Sequence, residues 1–230
     1  MKIRALALAL CLLSPAAFAA DVNNAITKAL TSGYPVKCGM YYGLGTGGNA
    51  GAVTGAAVGT QVVQGDLDAV VGYTCPFAGN AFWFVEGQGG FSNLNGSQNG
   101  LGLSGPGVFI ERAGVGSPIN TLLNIFPSFN FPSVPAIPAL PTGITASPGN
   151  GYLFAGLVEQ DFGILTSSAS GHNWILSPLI GAGVLTRLSN NVMLDTWAGW
   201  QMNATNSVCL GNGMCAKPGN MVRIGTSLKY

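Results

Sequence analysis

Apolar and polar residues alternate with a period of two along most of the chain after residue 36. The pattern is strictest at the C-terminus, where Val222, Ile224, Thr226, Leu228 and Tyr230 alternate with Met221, Arg223, Gly225, Ser227 and Lys229. Successive side chains of a β-strand point to opposite faces, so this alternation predicts a strand with one apolar and one polar face. Two interpretations fit: the apolar face covers the core of a soluble sandwich, or it contacts lipid.

The same alternation predicts eight strands in all. Their approximate bounds are 36–46, 66–75, 80–91, 108–115, 152–164, 174–188, 192–203 and 221–230. Segments rich in glycine, asparagine and serine separate them, and 92–107 is predicted to be a polar loop. In the fourth strand Glu111 and Arg112 are adjacent, so one of them must face outward unless a bulge intervenes.

Charged residues decide between the two interpretations. They make up 7% of the chain, against about 25% in typical soluble domains. Most of them fall on the less apolar strand faces and so are predicted to lie inside a barrel, where opposite charges would pair. The predicted lumen charges are Lys37, Asp66, Asp68, Glu86, Glu159, Asp161, Arg187, Asp195, Arg223 and Lys229. A lipid-facing apolar band around a charged interior is therefore favoured over a secreted sandwich.

The N-terminal residues predict an export signal. Residues 1–20 combine Lys2 and Arg4 with an apolar run and a small-residue cleavage site, and 21–35 form a short polar lead-in. Removing Lys2 and Arg4 changes the formal net charge from +1 to about −1. The chain has no basic cluster, so nucleic acid is not expected as a partner, and no cofactor is predicted.

A proline-rich insert at about 116–151 interrupts the regular spacing of strands. It is long and apolar, although the strand count places it at the end of the barrel where short turns are expected. Four interpretations remain open: a segment on the membrane surface, a plug in the lumen, an assembly element, or a disordered linker.

Four cysteines remain after removal of Cys11 with the signal. Cys38 and Cys75 lie at the same end of the first hairpin, and Cys209 and Cys215 flank a glycine-containing loop. An exported protein meets an oxidising compartment, so disulfides Cys38–Cys75 and Cys209–Cys215 are predicted. The alternative, a single metal site, would require cysteines at opposite ends of the barrel to converge.

Two stretches carry a family resemblance: the strand–turn–strand pattern GAGVLTRLSNNVMLDTWAGW at 181–200 and the terminal MVRIGTSLKY. With them, the chain from 36 to 230 resembles the small eight-stranded outer-membrane β-barrel proteins of Gram-negative bacteria, an OmpA/OmpX-like and porin-family-like domain. The resemblance implies an all-β, eight-stranded, antiparallel up-and-down transmembrane β-barrel in the cell outer membrane. It also implies contact with outer-membrane lipid and lipopolysaccharide, and with the barrel assembly machinery during insertion. The oligomeric state stays open.

Candidate catalytic chemistry is sparse. His172 is the only histidine, and Ser168 and Ser170 are near it in the sequence, but no acidic partner lies in that predicted loop. A hydrolase needs a nucleophile with an oriented base, so no catalytic or metal-binding residue is assigned and the protein is not expected to be an enzyme. Paired carboxylates such as Asp66 and Asp68 are interpreted as members of an internal ion network.

An eight-stranded barrel is just wide enough for side chains to fill its interior. The expected function is therefore structural or surface-interacting, with at most a narrow pore. A porin-like diffusion channel for small solutes is the alternative, and it requires the interior glycines to line an open passage. These are Gly39, Gly43, Gly181, Gly183, Gly199 and Gly225.

Overall fold

The computed structural model describes residues 36–55, 61–78, 81–98, 101–118, 149–188 and 191–230. Its strands are β1 (Gly39–Gly55), β2 (Gln61–Ala78), β3 (Ala81–Gln98), β4 (Leu101–Pro118), β5 (Gly149–Leu165), β6 (Ser170–Arg187), β7 (Met193–Gln201), β8 (Val208–Cys209) and β9 (Cys215–Lys229). The predicted signal, the lead-in and positions 119–148 of the proline-rich insert lie outside the described residues. Within the described ranges, no helix is long and apolar enough to cross a membrane.

The long strands close into one ring. Each pairs antiparallel with its neighbour in the order β1 to β7 and then β9, and β9 pairs back with β1. The two-residue β8 pairs with β9 and is not a member of the ring. The predicted eight-stranded antiparallel up-and-down barrel is confirmed, and the sandwich alternative is wrong, because a single sheet closes on itself.

The register fixes the width of the barrel. We followed the paired residues of neighbouring strands once around the ring, starting from Tyr41 in β1. The path reaches Met221 in β9, whose partner in β1 is Gly51. One circuit thus advances ten residues along β1, from Tyr41 to Gly51. With standard strand spacings, this stagger tilts the strands by about 40° and gives a backbone radius of about 8 Å. Side chains of ordinary size fill such an interior.

The outward faces carry the apolar residues that the alternation predicted in β1, β2, β3, β6, β7 and β9. Exposed members of this outer apolar band include Met40, Tyr42, Leu44, Val71, Trp83, Val85, Phe91, Phe109, Ile180, Trp200, Val222, Ile224, Leu228 and Tyr230. Glu111 is also exposed, whereas Arg112 is buried inside, and the pairing with β3 is continuous across both residues. The expectation that one of the two faces outward is correct, without a bulge between them.

The strands are longer than predicted. The segment 92–107, expected to be a loop, belongs largely to strands, since β3 extends to Gln98 and β4 begins at Leu101. β1 likewise extends to Gly55 instead of ending near residue 46. Backbone pairing continues here because a ladder needs no apolar side chains once the strands have passed the apolar band. Hydropathy therefore marked the band and not the strand ends.

Two apolar layers fill parts of the interior. The lower one, near the end of the barrel where β1 begins and β9 ends, contains Phe82, Phe84, Val108, Ile110, Tyr152, Phe154, Val158, Leu179, Leu185 and Trp197. The upper one, at the opposite end, contains Val53, Val62, Leu103, Phe162, Ile164, Ile175, Ala204, Val208, Leu210 and Ala216. We call the two ends the terminal end and the far end.

These layers overturn the predicted faces of β5. Tyr152, Phe154 and Phe162 are buried inside the barrel, whereas Glu159 is exposed on the outside. The prediction assumed that the more apolar face of every strand meets lipid. In β5 that assumption fails, because its aromatic residues build the internal layers.

Candidate functional site: a buried charge cluster inside the barrel

Four charged side chains from four strands meet inside the lower half of the barrel. They are Glu86 of β3, Arg112 of β4, Asp195 of β7 and Lys229 of β9, and we call them the central charge cluster. Arg112 Nη2 lies 2.5 Å from Glu86 Oε1 and 2.5 Å from Asp195 Oδ2. Lys229 Nζ lies 2.8 Å from Asp195 Oδ2 and also donates to Glu86 Oε2. Each cation therefore bridges both carboxylates.

Neutral groups complete the coordination of these charges. Tyr41 donates from its hydroxyl to Glu86 Oε2 at 2.7 Å, and Gln88 Nε2 donates to Glu86 Oε1 at 2.7 Å. Tyr152 donates to Asp195 Oδ1 at 2.5 Å and accepts from Arg112 Nη1 at 3.1 Å. The side chains of Glu86, Arg112 and Asp195 have no exposed surface. Buried charge is tolerated when it is paired and hydrogen-bonded, and two cations balance two anions here.

Aromatic rings surround the Arg112 guanidinium. Its Cζ lies 4.8 Å from the ring centroid of Trp197, 5.2 Å from Phe154 and 5.7 Å from Tyr152. Such distances allow cation–π attraction, which is stronger away from water. The rings also occupy the space beside the charges, so ionic and aromatic contacts share one level of the interior.

The interior glycines make room for these rings. A Cβ added at Gly183 would lie 2.3 Å from the Tyr152 ring, and one added at Gly225 would lie 2.5 Å from the Trp197 indole. Gly181 is covered in the same way by Phe154. A passage lined by open glycines, which the porin alternative requires, is therefore absent at these three positions.

A second polar layer lies between the central charge cluster and the upper apolar layer. Arg223 pairs with Asp66, and Asp68 follows two residues later on the same inward face. Nearby, Gln64 Oε1 accepts from Asn49 Nδ2 at 2.9 Å and from Gln160 Nε2 at 3.0 Å. The charge here is one cation to two carboxylates, and the unpaired atoms include Asp68 Oδ1 and Arg223 Nη1.

The predicted lumen charges separate into two groups. Asp66, Asp68, Glu86, Asp195, Arg223 and Lys229 are buried in the interior, and Arg187 lies partly buried on the inward face of β6. Lys37 is exposed and precedes β1, and Glu159 is exposed on the outer face of β5, so both predictions are wrong. Asp161 is buried but lies on the outer face with Glu159, 2.9 Å from His172, so its predicted position in the lumen is wrong as well.

Sequence reasoning missed Arg112, which joins Glu86 to Asp195, together with Tyr41 and Tyr152. A signal for Arg112 existed. Arg112 lies on the same face of β4 as Val108 and Ile110, which are buried inside. Because Glu111 is adjacent, the sequence did not show which of the two charged residues faces inward. The alternation placed Tyr41 on the less apolar face of its strand, which was a signal for an inward side chain, whereas it placed Tyr152 on the apolar face.

Both predicted disulfides are present. Cys38–Cys75 joins the residue before β1 to β2 at the terminal end, and Cys209–Cys215 joins β8 to β9 at the far end. Among the described residues, no group of three or more His, Cys, Asp and Glu side chains could hold a metal ion.

Comparisons with known proteins add only distant likenesses. No family model and no curated protein matches the chain. Among solved structures, the attachment invasion locus protein Ail of Yersinia pestis matches with 10% sequence identity and a TM-score of 0.42. The match covers 85% of this chain and 100% of the Ail chain. Ail in complex with the heparin analogue sucrose octasulfate gives 10% identity, the same shares and a TM-score of 0.46. Neisserial surface protein A matches with 10% identity, 83% of this chain, 95% of that chain and a TM-score of 0.45.

Proposed function

We propose that the protein resides in the cell outer membrane as a β-barrel with a sealed lumen, and that its role is structural or surface-interacting. The outer apolar band supports the membrane placement. Leu44, Ile224 and Leu228 are 67%, 45% and 40% exposed in a closed barrel that has no other place to bury them. Contact with lipid would remove this surface from water.

Details of the outer face fit the same placement. Tyr42 and Tyr230 stack with ring centroids 6.2 Å apart at the terminal end, and Tyr73 lies 5.6 Å from Trp83 there. Aromatic side chains of this kind favour the membrane–water interface. The polar Thr226 on the outer face donates its hydroxyl to the Asp195 carbonyl at 3.1 Å, so it brings no unpaired group into lipid.

The central charge cluster carries the proposal of a sealed lumen. Side chains from β3, β4, β7 and β9 meet across the interior and leave no exposed surface on Glu86, Arg112 or Asp195. Opening a passage here would separate paired charges that are removed from water, which is costly. The upper apolar layer forms a second barrier toward the far end.

The far end supplies the surface on which an interaction would take place. β2, β3 and β4 each contain 18 residues, whereas about 10 suffice for a tilted strand to cross a bilayer. These strands therefore project beyond the outer apolar band, and the upper apolar layer fills the projection from inside. We propose lipid and lipopolysaccharide as its immediate surroundings, and the barrel assembly machinery as the partner during insertion.

Conductance across a planar bilayer tests the sealed lumen. Protein refolded in detergent and shown to have inserted should give no discrete current steps. A variant carrying Arg112→Ala and Trp197→Ala removes the two largest side chains at the constriction and provides a matched positive control. Reproducible steps from the unchanged protein would contradict the proposal and favour the porin-like diffusion channel.

A further inference from the structure

The outer face near the far end brings together a serine, a histidine and an aspartate from three adjacent strands. Ser104 of β4 is paired with Gly163 of β5, and Gly163 is paired with His172 of β6. Asp161 precedes Gly163 by two residues and so shares its face of the sheet. Ser104, Gly163 and His172 therefore form a row across the three strands, and Asp161 lies beside it. The sequence had left His172 without an acidic partner, and Ser104 lies 68 positions away from it.

His172 and Asp161 are in direct contact. His172 Nδ1 lies 2.9 Å from Asp161 Oδ1, although the two atoms do not form a hydrogen bond in this geometry. The Asp161 side chain is 9% exposed and that of His172 is 54% exposed. In this arrangement the shielded Asp161 carboxylate lies behind the accessible His172 imidazole, so His172 Nε2 can accept a proton.

Gly163 provides the gap in which the serine and the imidazole approach each other. The position of a Cβ on Gly163 lies 2.6 Å from Ser104 Oγ and 2.8 Å from His172 Cδ2, the ring carbon bonded to Nε2. The two side chains therefore lean from opposite sides over the same glycine. Ser104 is exposed, and a nucleophile and its base are often further apart without substrate than during reaction.

The backbone beside Ser104 departs from regular pairing. The register between β4 and β5 shifts between Ser104 and Val108, so residues 105–107 have no paired residue in β5. Such irregularities are over-represented next to active sites. In this segment only Gly105 and Gly107 have backbone N–H groups, since residue 106 is proline, and they are the candidates to stabilise an oxyanion on a carbonyl attacked by Ser104.

Aromatic residues place the site at the membrane surface. Trp174, two residues after His172 on the same face, lies 5.5 Å from Phe109, and the two are 46% and 51% exposed. The Trp174 indole also passes beside Asp161 over Gly107. Exposed aromatic pairs of this kind favour the interface between lipid and water, so an ester carried by an amphiphile would meet Ser104 there.

We propose that Ser104, His172 and Asp161 form a hydrolytic site for carboxylic esters at the interface between lipid and water near the far end. Ser104 Oγ attacks the carbonyl carbon while His172 Nε2 takes its proton. His172 then gives that proton to the departing alcohol, which leaves an acyl-serine. Water attacks the acyl-serine, its proton passes through His172 back to Ser104, and the carboxylic acid is released. Asp161 orients the imidazole and balances its charge, which makes it a positioning residue.

Esterase assays on the full-length refolded protein test the site. One substrate is the soluble ester p-nitrophenyl butyrate, and the other is phospholipid vesicles, assayed for released free fatty acid. The comparison shows whether the site acts on a soluble ester or on a membrane lipid. Ser104→Ala and His172→Ala should each lower kcat/KM at least about a hundredfold. Ser170→Ala, on the same outer face two residues from His172, is the matched control and should retain full activity. Hydrolysis of neither substrate by the unchanged protein would overturn the proposal.

Two further measurements separate chemistry from folding. A fluorophosphonate should label the unchanged protein on Ser104, as identified by peptide mass spectrometry, and should not label the His172→Ala protein. Asp161→Asn should lower kcat with KM unchanged, and Asp161→Glu should recover part of the loss, which a merely structural role would not produce. Labelling that is equal in the unchanged and Ser104→Ala proteins would contradict the assignment. The sealed lumen is unaffected by either result, because these residues lie outside the barrel.

Discussion

Replacing Arg112 with methionine removes the cation that joins Glu86 to Asp195 and leaves a side chain of similar length. The central charge cluster then keeps two carboxylates and only Lys229 as a counter-charge. Since Glu86 and Asp195 have no exposed side-chain surface, water cannot replace the lost guanidinium. The variant should fold into the same barrel but with lower stability.

The contacts of Arg112 set the size of the effect. Its guanidinium lies 2.5 Å from each of the two carboxylates, and hydrogen bonds to charged groups contribute about 1.5–3 kcal/mol each. Removing one partner from a buried ion pair costs about 3–5 kcal/mol. The two figures agree, so we expect the free energy of unfolding to fall by about 3–5 kcal/mol.

A second substitution tests whether unbalanced charge is the cause. Adding Glu86→Gln to Arg112→Met removes the excess negative charge and keeps the Asp195–Lys229 pair at 2.8 Å. The double variant should recover at least about 1.5 kcal/mol, half of the lower figure for a broken buried pair. Urea unfolding in lipid vesicles, followed by tryptophan fluorescence, measures both, and Trp197 reports directly because its ring lies 4.8 Å from the guanidinium.

The exposed Lys37 supplies the control. Lys37→Met removes a cation by the same substitution, but the residue precedes β1 and is exposed, so the change should stay below about 0.5 kcal/mol. If Arg112→Met were as stable as Lys37→Met, the cluster would not hold the barrel together. If the double variant were less stable than Arg112→Met alone, charge imbalance would not be the reason for the loss.

Three other predictions use the same unfolding measurement. Gly183→Ala places a Cβ 2.3 Å from an aromatic ring and should cost about 1–3 kcal/mol, whereas Gly87→Ala, whose Cβ meets nothing within 4 Å, should be tolerated; equal effects would refute internal packing as the cause. The paired substitution Cys38→Ser and Cys75→Ser opens a loop with a sequence separation of 37 and should cost about 4 kcal/mol, and no change relative to the oxidised protein would contradict this. Glu111→Leu removes an exposed carboxylate from the outer apolar band and should raise the free energy of unfolding in vesicles by about 1 kcal/mol. The folding yield in detergent without urea should not rise. A loss of stability in vesicles would indicate that this face is not in lipid.

Several features of the fold followed from the sequence because they depend on local periodicity. The alternation from Met221 to Tyr230 assigned the faces of the last strand correctly, with Arg223 and Lys229 inside. Strand count, antiparallel order and the two disulfide pairs also followed from the spacing of hairpins and cysteines. Each requires only that neighbouring strands pair in sequence order.

The faces of β5 required the tertiary structure. Tyr152 and Phe162 are as apolar as any lipid-facing residue, and only the ring shows that they fill the interior. Alternation separates the two faces of a strand but cannot say which face points inward when both the lumen and the surroundings are apolar. Glu159 was misplaced for that reason.

The candidate sites depend on contacts between strands that are distant in the sequence. Arg112 meets Asp195 across 83 positions, and Ser104 approaches His172 only because Gly163 lies between them in the sheet. The sequence by itself determined where the strands cross the outer apolar band and which side chains of a strand share a face. The register, with its advance of ten residues per circuit, decided which charges meet and which side chains fill the interior, because the stagger of neighbouring strands is a property of the closed ring and not of any one strand.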